Sequence, residues 1–220
     1  MYIDFPVSLS NYESSLLKLV NNYFSNEENR YLHILGVVSK IKDLCILSGY
    51  GEDSNFYRYC VTVAYLHDIG YSKKLNVYDF HAYDGYCFVK NDLKVDNVIF
   101  NTDFEKDLIS LVISYHTYSD ILIELDRFHF NDLNESLFDI YEDLNFDKNY
   151  FGNIFNKLLL FISYADMNVK GNGNIVSLEE RVADICERYG NDSLQGLHAL
   201  EVYDLLKSSN LHKRIINGGI

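Results

Sequence analysis

The chain has 220 residues, of which 48% are hydrophobic and only one is proline. This is enough apolar sequence to bury a core, and we expect one domain over residues 1–220. The formal net charge of −13 argues against a nucleic-acid polymer or an anionic membrane as partner, because long-range repulsion opposes both. A small phosphorylated molecule remains compatible with this charge where metal ions mask nearby carboxylates.

Cysteine usage and the absence of targeting features predict a cytoplasmic protein. The cysteines show no C-x-x-C spacing, which favours reduced thiols over a disulfide framework; they are Cys45, Cys60, Cys87 and Cys186. The first ten residues include Asp4 and Pro6 and lack the basic start and apolar run of a signal peptide. The most apolar later segment, 154–165, is too short to span a bilayer. A homo-oligomer is compatible with this sequence.

Helix starts are marked by capping residues at the head of segments whose apolar residues follow a helical period. Several starts carry a capping box, in which Ser or Thr is followed three residues later by Glu. In the first half of the chain the predicted helices begin at Ser10 with Glu13, Ser25 with Glu28, Asp53 or Ser54, Asp79, and Thr102 with Glu105. We expect the second to run to about residue 48, the third to end in a His-Asp pair, and the fourth to cover 81–90.

The second half of the chain is also predicted to be helical. Its elements are one or two helices over 118–150, an apolar helix over 150–166, a helix over 177–190 opened by Ser177 with Glu180, and a last helix over 192–207. No convincing period-2 strand pattern occurs in the chain. The predicted fold class is therefore an all-α, single-domain helical bundle.

Four side chains form a candidate set of metal ligands. His67 and Asp68 are adjacent at the predicted end of the third helix and can converge on one divalent cation, with Gly70 expected to end the helix there. His33 lies within the second helix, and Asp166 ends the apolar helix. A bundle brings ligands from different helices to one interior point, which explains the wide spacing.

In this order, His33, then His67-Asp68, then Asp166, the residues resemble the H…HD…D signature of the HD-domain superfamily of metal-dependent phosphohydrolases. The strings Arg30-x-x-His33 and Tyr164-Ala165-Asp166 are similar to those that the family carries. The resemblance covers about residues 30–166. It implies an HD-type motif core of about 25–170 with a C-terminal helical extension over 177–210.

Two of the three histidines between the His-Asp pair and Asp166 extend this pattern. His81 and His116 follow the order seen in HD proteins with a two-metal site. The resemblance implies that Asp68 bridges two ions, that His81 and His116 bind the second, and that His67 acts with these three residues in catalysis. Imidazole and carboxylate ligands suit Mn, Fe, Co, Ni or Zn better than Mg or Ca, so one or two divalent transition-metal ions are expected.

The activity that the resemblance implies is hydrolysis of a phosphoester or phosphoanhydride in a small molecule, with a nucleotide as the favoured substrate. Two cations about 3.5–4 Å apart activate water for attack on phosphorus and neutralise charge on the attacking and leaving oxygens. Mononucleotides, dinucleoside polyphosphates, alarmones and cyclic nucleotides all remain candidates.

Five basic residues are candidate substrate contacts: Arg30, Lys73, Lys74, Lys170 and Arg181. Arg30 shares a helix face with His33, so it either contacts a phosphate or pairs with a local carboxylate. The two lysines after the His-Asp pair lie in a loop where phosphate contact is plausible, but ordinary solvation is the favoured interpretation. Lys170 and Arg181 flank a glycine-containing loop after Asp166 and are weaker candidates.

Other aromatic and imidazole side chains have plain structural interpretations. Tyr71, Tyr115 and Tyr118 suit stacking on a nucleobase, but core or rim packing explains them as well. The remaining histidines match no motif and are expected to be structural or exposed; they are His129, His198 and His212.

Two other functions share these residues. One is a non-catalytic HD module that binds a nucleotide or partner protein and uses one metal for structure. The other is an oxygenase of the same fold with a di-iron centre, which predicts bound iron and an oxygen-dependent reaction. Metal content and an activity screen separate all three.

Overall fold

The computed structural model describes residues 10–94, 98–130, 133 and 135–217. Within these residues the fold is helical, and an isolated bridge between Val169 and Ile175 is its only extended pairing. The predicted all-α class is confirmed. The helices are α1 (Asn11–Phe24), α2 (Glu28–Leu47), α3 (Asn55–Leu66), α4 (His81–Cys87), α5 (Asp103–Tyr115), α6 (Ser119–His129), α7 (Ser136–Asp166), α8 (Leu178–Tyr189), α9 (Leu194–Ser208) and α10 (Asn210–Ile216). A 3-10 turn, Ile69–Tyr71, follows α3, and a π-helical turn, Phe88–Asp92, extends α4.

Several predicted caps form as the sequence indicates. Ser10, Ser54 and Thr102 each accept a hydrogen bond from the backbone N–H three residues on, at the starts of α1, α3 and α5. Ser177 and Glu180 form a full capping box at the start of α8, which ends before Gly190 as predicted. These caps satisfy N–H groups that a helix start otherwise leaves unpaired.

Two predicted caps are wrong. Ser25 ends α1 as its C-cap residue, and α2 begins after Glu27 without a side-chain cap. Asp79 has a left-handed backbone (φ 57°), and the residue that precedes α4 is Phe80. In both places the polar residue already belongs to the preceding segment, and its backbone conformation there does not allow its side chain to cap the next helix.

The region after residue 118 contains two helices, as the prediction allowed, but the second is longer than predicted. It forms α6 and the first half of α7, and the predicted start at Tyr150 lies inside α7. Gly152 interrupts α7 with φ 53° and ψ −127°, a conformation that glycine adopts far more readily than other residues. The last predicted helix corresponds to α9, and the short α10 was not predicted.

The central layer consists of α2, α3, α5 and α7. Helix α2 packs against α3 and α7, while α5 packs against α3, α4 and α7. Their fully buried side chains include Ile34, Leu66, Ile109 and Phe155, and burial of each stabilises the fold by roughly 1.5–3 kcal/mol. Helix α9 adds an outer layer against α6 and α8. This packing brings the ends of several central helices together inside the bundle.

The predictions about cysteine thiols and membrane-spanning segments can be compared with this fold. All four cysteines are free thiols, with Cys45 and Cys60 buried. Among the described residues, no helix has the length and apolar character needed to cross a bilayer.

Candidate metal centre

The structure brings all six predicted ligands to one interior point. They come from five helices or helix ends: His33 from the middle of α2, His67 and Asp68 from the end of α3, His81 from the start of α4, His116 from the end of α5, and Asp166 from the end of α7. Five of them are buried, and the His81 side chain is 24% exposed. The opening of the site therefore lies on the His81 side.

Asp68 stands between two pairs of histidines. Its Oδ2 lies 3.5 Å from Nε2 of His33 and 3.5 Å from Nε2 of His67. Its Oδ1 lies 3.8 Å from Nε2 of His81 and 3.6 Å from Nε2 of His116. Each oxygen thus faces a separate pair, and each pair with Asp68 forms a group whose donor atoms lie within 4.8 Å of one another. This is the geometry of a carboxylate that can bridge two cations.

Asp166 completes the first group. Its Oδ1 lies 2.9 Å from Nε2 of His33, and the residue is 8% exposed. Burial acts against the charged form, but the hydrogen bond and charge of His33 lower the pKa of Asp166. The carboxylate is therefore ionised and available as a ligand.

Backbone carbonyls orient three of the four imidazoles. Nδ1–H donates to a main-chain oxygen at 3.2 Å in His33 (Lys170), at 2.9 Å in His67 (Ala64) and at 2.6 Å in His116 (Ile113). These contacts direct each Nε2 toward Asp68. Metal-binding histidines commonly show this second hydrogen bond, because it fixes the ring orientation and the tautomer.

The Nε2 atom of His67 supplies an independent test of the ligand interpretation. It is buried and has no hydrogen-bond partner among the described residues. Burial also lowers the pKa of His67, despite the charge of Asp68, so the ring is neutral with a lone pair on Nε2. A buried polar atom without a partner is costly. A cation bound between His67 and Asp68 satisfies it, and the donor set of imidazoles and carboxylates fits a transition metal.

Charged and aromatic groups line the mouth. The Arg30 guanidinium donates to Asp68 Oδ2 and lies over the Tyr71 ring, 3.8 Å from its centroid. Tyr71 also stacks on His81, with centroids 3.8 Å apart and planes 13° apart. Burial acts against ionisation of Asp68, but the Arg30 charge and the neighbouring histidines hold its pKa well below its usual range.

Gly70 has a different role from the one predicted. It does not end α3 in a left-handed conformation; it lies in the 3-10 turn, where a Cβ would come 2.0 Å from the His81 carbonyl oxygen and 2.5 Å from the Gly85 nitrogen. The absence of a side chain lets this turn pack directly on α4. That contact brings His81 to Asp68.

The predicted basic residues fall into different places. Arg30 contacts Asp68, and Lys170 contacts His33 through its backbone carbonyl. Lys74 donates to the Asn22 carbonyl at 2.9 Å, and Lys73 is exposed. Arg181 pairs with Asp184 on its own helix at 3.1 Å. Arg30 alone among the five has a side-chain hydrogen bond to a predicted ligand within the described chain.

The other histidines and tyrosines are mostly structural. His129 is exposed, His198 donates to the Tyr118 carbonyl at 3.2 Å, and His212 contacts the Tyr164 hydroxyl at 2.9 Å. Tyr115 is fully buried, so it packs in the core and does not reach a nucleobase.

Asp84 is a positioning residue that the sequence interpretation missed. It is buried, and its carboxylate accepts hydrogen bonds from the backbone N–H groups of Val77, Tyr78 and Phe80 at 3.0–3.3 Å. It thereby fixes the loop that leads into His81. An acidic residue three positions after His81 was the available signal, but three loop N–H groups cannot be assigned to it from sequence.

Comparisons with models of known families, with curated proteins and with solved structures found no match. The fold and the site define the class: an all-α protein with a buried cluster of histidines and carboxylates that could hold a metal ion.

Proposed function

We propose that this protein is a metal-dependent phosphohydrolase that acts on a small phosphorylated molecule, with nucleotides as the first class to test. The observation that carries the proposal is the division of Asp68, whose two oxygens face two separate histidine pairs. Such a carboxylate suits a two-metal centre, and paired metals are widely used for hydrolysis at phosphorus. The order of the ligands, which resembles that of the HD-domain superfamily, supports the same conclusion.

The residues would divide between two metal positions. His33, His67, Asp68 and Asp166 would hold one ion, and Asp68 with His81 and His116 the second. When bound, the ions supply charge neutralisation on phosphoryl oxygens and an activated water. The carbonyls behind the imidazoles of His33, His67 and His116 keep their Nε2 atoms directed at Asp68, so these rings would hold the same orientation with metal bound.

Arg30 and Tyr71 would contact the substrate at the mouth. A guanidinium presents several N–H donors that match phosphate oxygens. The Arg30 side chain is 32% exposed, so its guanidinium can offer further N–H donors to a molecule entering from solvent while it stays hydrogen-bonded to Asp68. Tyr71 is 42% exposed and offers an aromatic edge beside the phosphate position. The net charge of −13 favours small substrates over polymers.

The test is release of phosphate from a nucleotide panel in the presence of manganese, cobalt or zinc, with wild type beside His67→Ala. We expect the variant to lose at least about 100-fold in turnover, because a ligand change exceeds the 10–100-fold effect typical of outer-shell contacts. His129→Ala is the matched control, since that histidine is exposed at the end of α6.

The outcomes separate the proposal from its alternatives. Wild-type turnover in a folded His67→Ala variant contradicts it. Bound metal without hydrolysis of any panel member assigns a binding module. Bound iron with oxygen consumption and no phosphate release assigns an oxygenase.

A further inference from the structure

A second concave site lies apart from the metal centre. A cavity of about 640 Å³ opens between α1, α2 and α3, and none of the six predicted ligands lines it. Its volume falls within the range of roughly 300–1,000 Å³ that is typical of small-molecule sites. The cavity is thus large enough for a ligand, and the proposed hydrolase function does not account for it.

The walls of the cavity are aromatic and aliphatic. Tyr12, Tyr57 and Tyr65 contribute rings, and Leu35 and Val38 of α2 contribute aliphatic surface. All but Tyr12 are at least nine-tenths buried. An apolar or aromatic body is therefore the part of a ligand that these walls can cover.

Two of the three tyrosine hydroxyls on these walls have no hydrogen-bond partner among the described residues. The Tyr12 hydroxyl donates to the Arg58 carbonyl and meets the Thr62 hydroxyl, both at 2.7 Å. The hydroxyls of Tyr57 and Tyr65 make no hydrogen bond to the part of the chain that the structure describes. Neither oxygen is among the buried, unpartnered polar atoms of the described residues, so both are accessible to solvent. Both are available to a ligand that can hydrogen-bond.

Charge around the cavity selects against anions. The two lining cations are already engaged, Lys42 with Glu13 and Arg58 with Glu105. The other charged lining residues are Asp43 and Glu52, which are both exposed acids. Lys40, on the same helix, lies close enough to Asp43 to act on it electrostatically, but it does not line the cavity. The mouth is therefore acidic.

We propose that this cavity binds a small organic ammonium compound that carries an apolar or aromatic body. Arg58 already lies over the Tyr12 ring, 4.3 Å from its centroid, so the rings of Tyr57 and Tyr65 are the ones that can attract a further cation through their quadrupoles. The hydroxyls of these two residues accept from an ammonium group, and the acidic mouth favours its approach. This proposal does not rest on the metal centre.

A pair of fluorescent probes tests the proposal directly. Dansylcadaverine has a dansyl ring and an ammonium tail, while dansyl-aminohexanoate has the same ring and a carboxylate tail. The full chain is titrated with each probe in the presence of a chelator, which removes any contribution from bound metal, and dansyl emission is followed. We expect saturable binding of the ammonium probe at least about tenfold tighter than that of the carboxylate probe.

Variants then locate the binding. Ser39 lines the cavity but is exposed, so Ser39→Trp fills the mouth without disturbing the core. It should weaken the ammonium probe more than about tenfold, while Ser208→Trp, at an exposed position on α9, leaves it unchanged. Tyr65→Phe should weaken it severalfold with its fold intact. The proposal is overturned by equal affinity for the two probes, by no saturable binding of either, or by unchanged binding in Ser39→Trp.

Discussion

Asp68 is a buried carboxylate whose side chain is 3% exposed, and an isolated charge in that position would be very costly. Arg30 and the surrounding histidines offset this cost. Arg30 approaches the same oxygen that faces His33 and His67. Its guanidinium thus supplies positive charge next to one candidate metal position.

Removing the Arg30 charge should therefore destabilise the metal-free protein. We expect Arg30→Met to lower the free energy of unfolding by about 1–3 kcal/mol in chelator, because Asp68 loses a charged hydrogen bond while buried. Urea denaturation measures the change. Arg188→Met is the control: Arg188 pairs with Asp184 at the surface, where such a pair contributes about 0–1 kcal/mol. Equal effects of the two substitutions would show that Asp68 does not depend on Arg30.

Metal affinity should fall as the pH falls. Both ring nitrogens of His33 face acceptors. Burial lowers the pKa of His33, but Asp166 and Asp68 outweigh it and raise that pKa. Asp68 likewise raises the pKa of His116 against the effect of burial. A raised pKa means that the protonated ring persists to higher pH, so metal must displace that proton. Between about pH 8 and pH 6, on either side of the ordinary histidine pKa of roughly 6.5, we expect up to about tenfold weaker manganese binding per pH unit and displaced proton.

Calorimetric titration in buffers of different ionisation enthalpy measures both the affinity and the protons released. An affinity that stays constant across this range, with no proton release, would contradict histidine ligation.

At the scale of elements, the contact between the 3-10 turn Ile69–Tyr71 and α4 decides whether the second histidine pair reaches Asp68. Gly70 permits this contact because its Cα lies against backbone atoms of His81 and Gly85. Backbone cannot move aside as a flexible side chain can. A methyl group here must push α4 and His81 away from the centre.

Gly70→Ala should therefore cost about 1–3 kcal/mol or more in the free energy of unfolding and weaken metal binding. Gly171→Ala is a matched control, because a Cβ at Gly171 meets nothing within 4 Å, and its effect should stay within about 0.5 kcal/mol. Thermal denaturation and calorimetric metal titration measure the two effects. A Gly70→Ala protein with normal stability and metal binding would show that the close approach is not needed.

Helices with strong local signals were predictable from the sequence. The cap at Ser10 and the box at Ser177 with Glu180 set their helix starts through contacts three residues apart, which the sequence displays directly. The break at Gly152 was not predictable, because a glycine inside an apolar period is usually tolerated and only the packing of α7 decides its conformation. The predicted cap at Ser25 was wrong because that residue is the C-cap of α1.

At the scale of the whole molecule, the order of the ligands along the chain was more informative than any single motif. Five helices supply the candidate ligands. A bundle can bring them together only if these polar side chains lie at the same level along the bundle axis. The outer contacts could not be predicted, since the carbonyls behind the imidazoles and the three N–H groups on Asp84 depend on how loops pack. The cavity between α1, α2 and α3 could not be predicted from the sequence, because the tyrosines that line it are spaced along their helices like ordinary core residues.

The measurement that tests the central claim most directly is elemental analysis of purified protein, with wild type beside Asp68→Ala and His129→Ala, after loading with manganese and removal of free metal. If Asp68 bridges two ions, wild type and His129→Ala retain about two transition-metal ions per chain, and Asp68→Ala retains fewer than one. Circular dichroism confirms that all three are helical. Equal metal content in wild type and a folded Asp68→Ala, or no bound metal in wild type, would contradict the bridged two-metal centre.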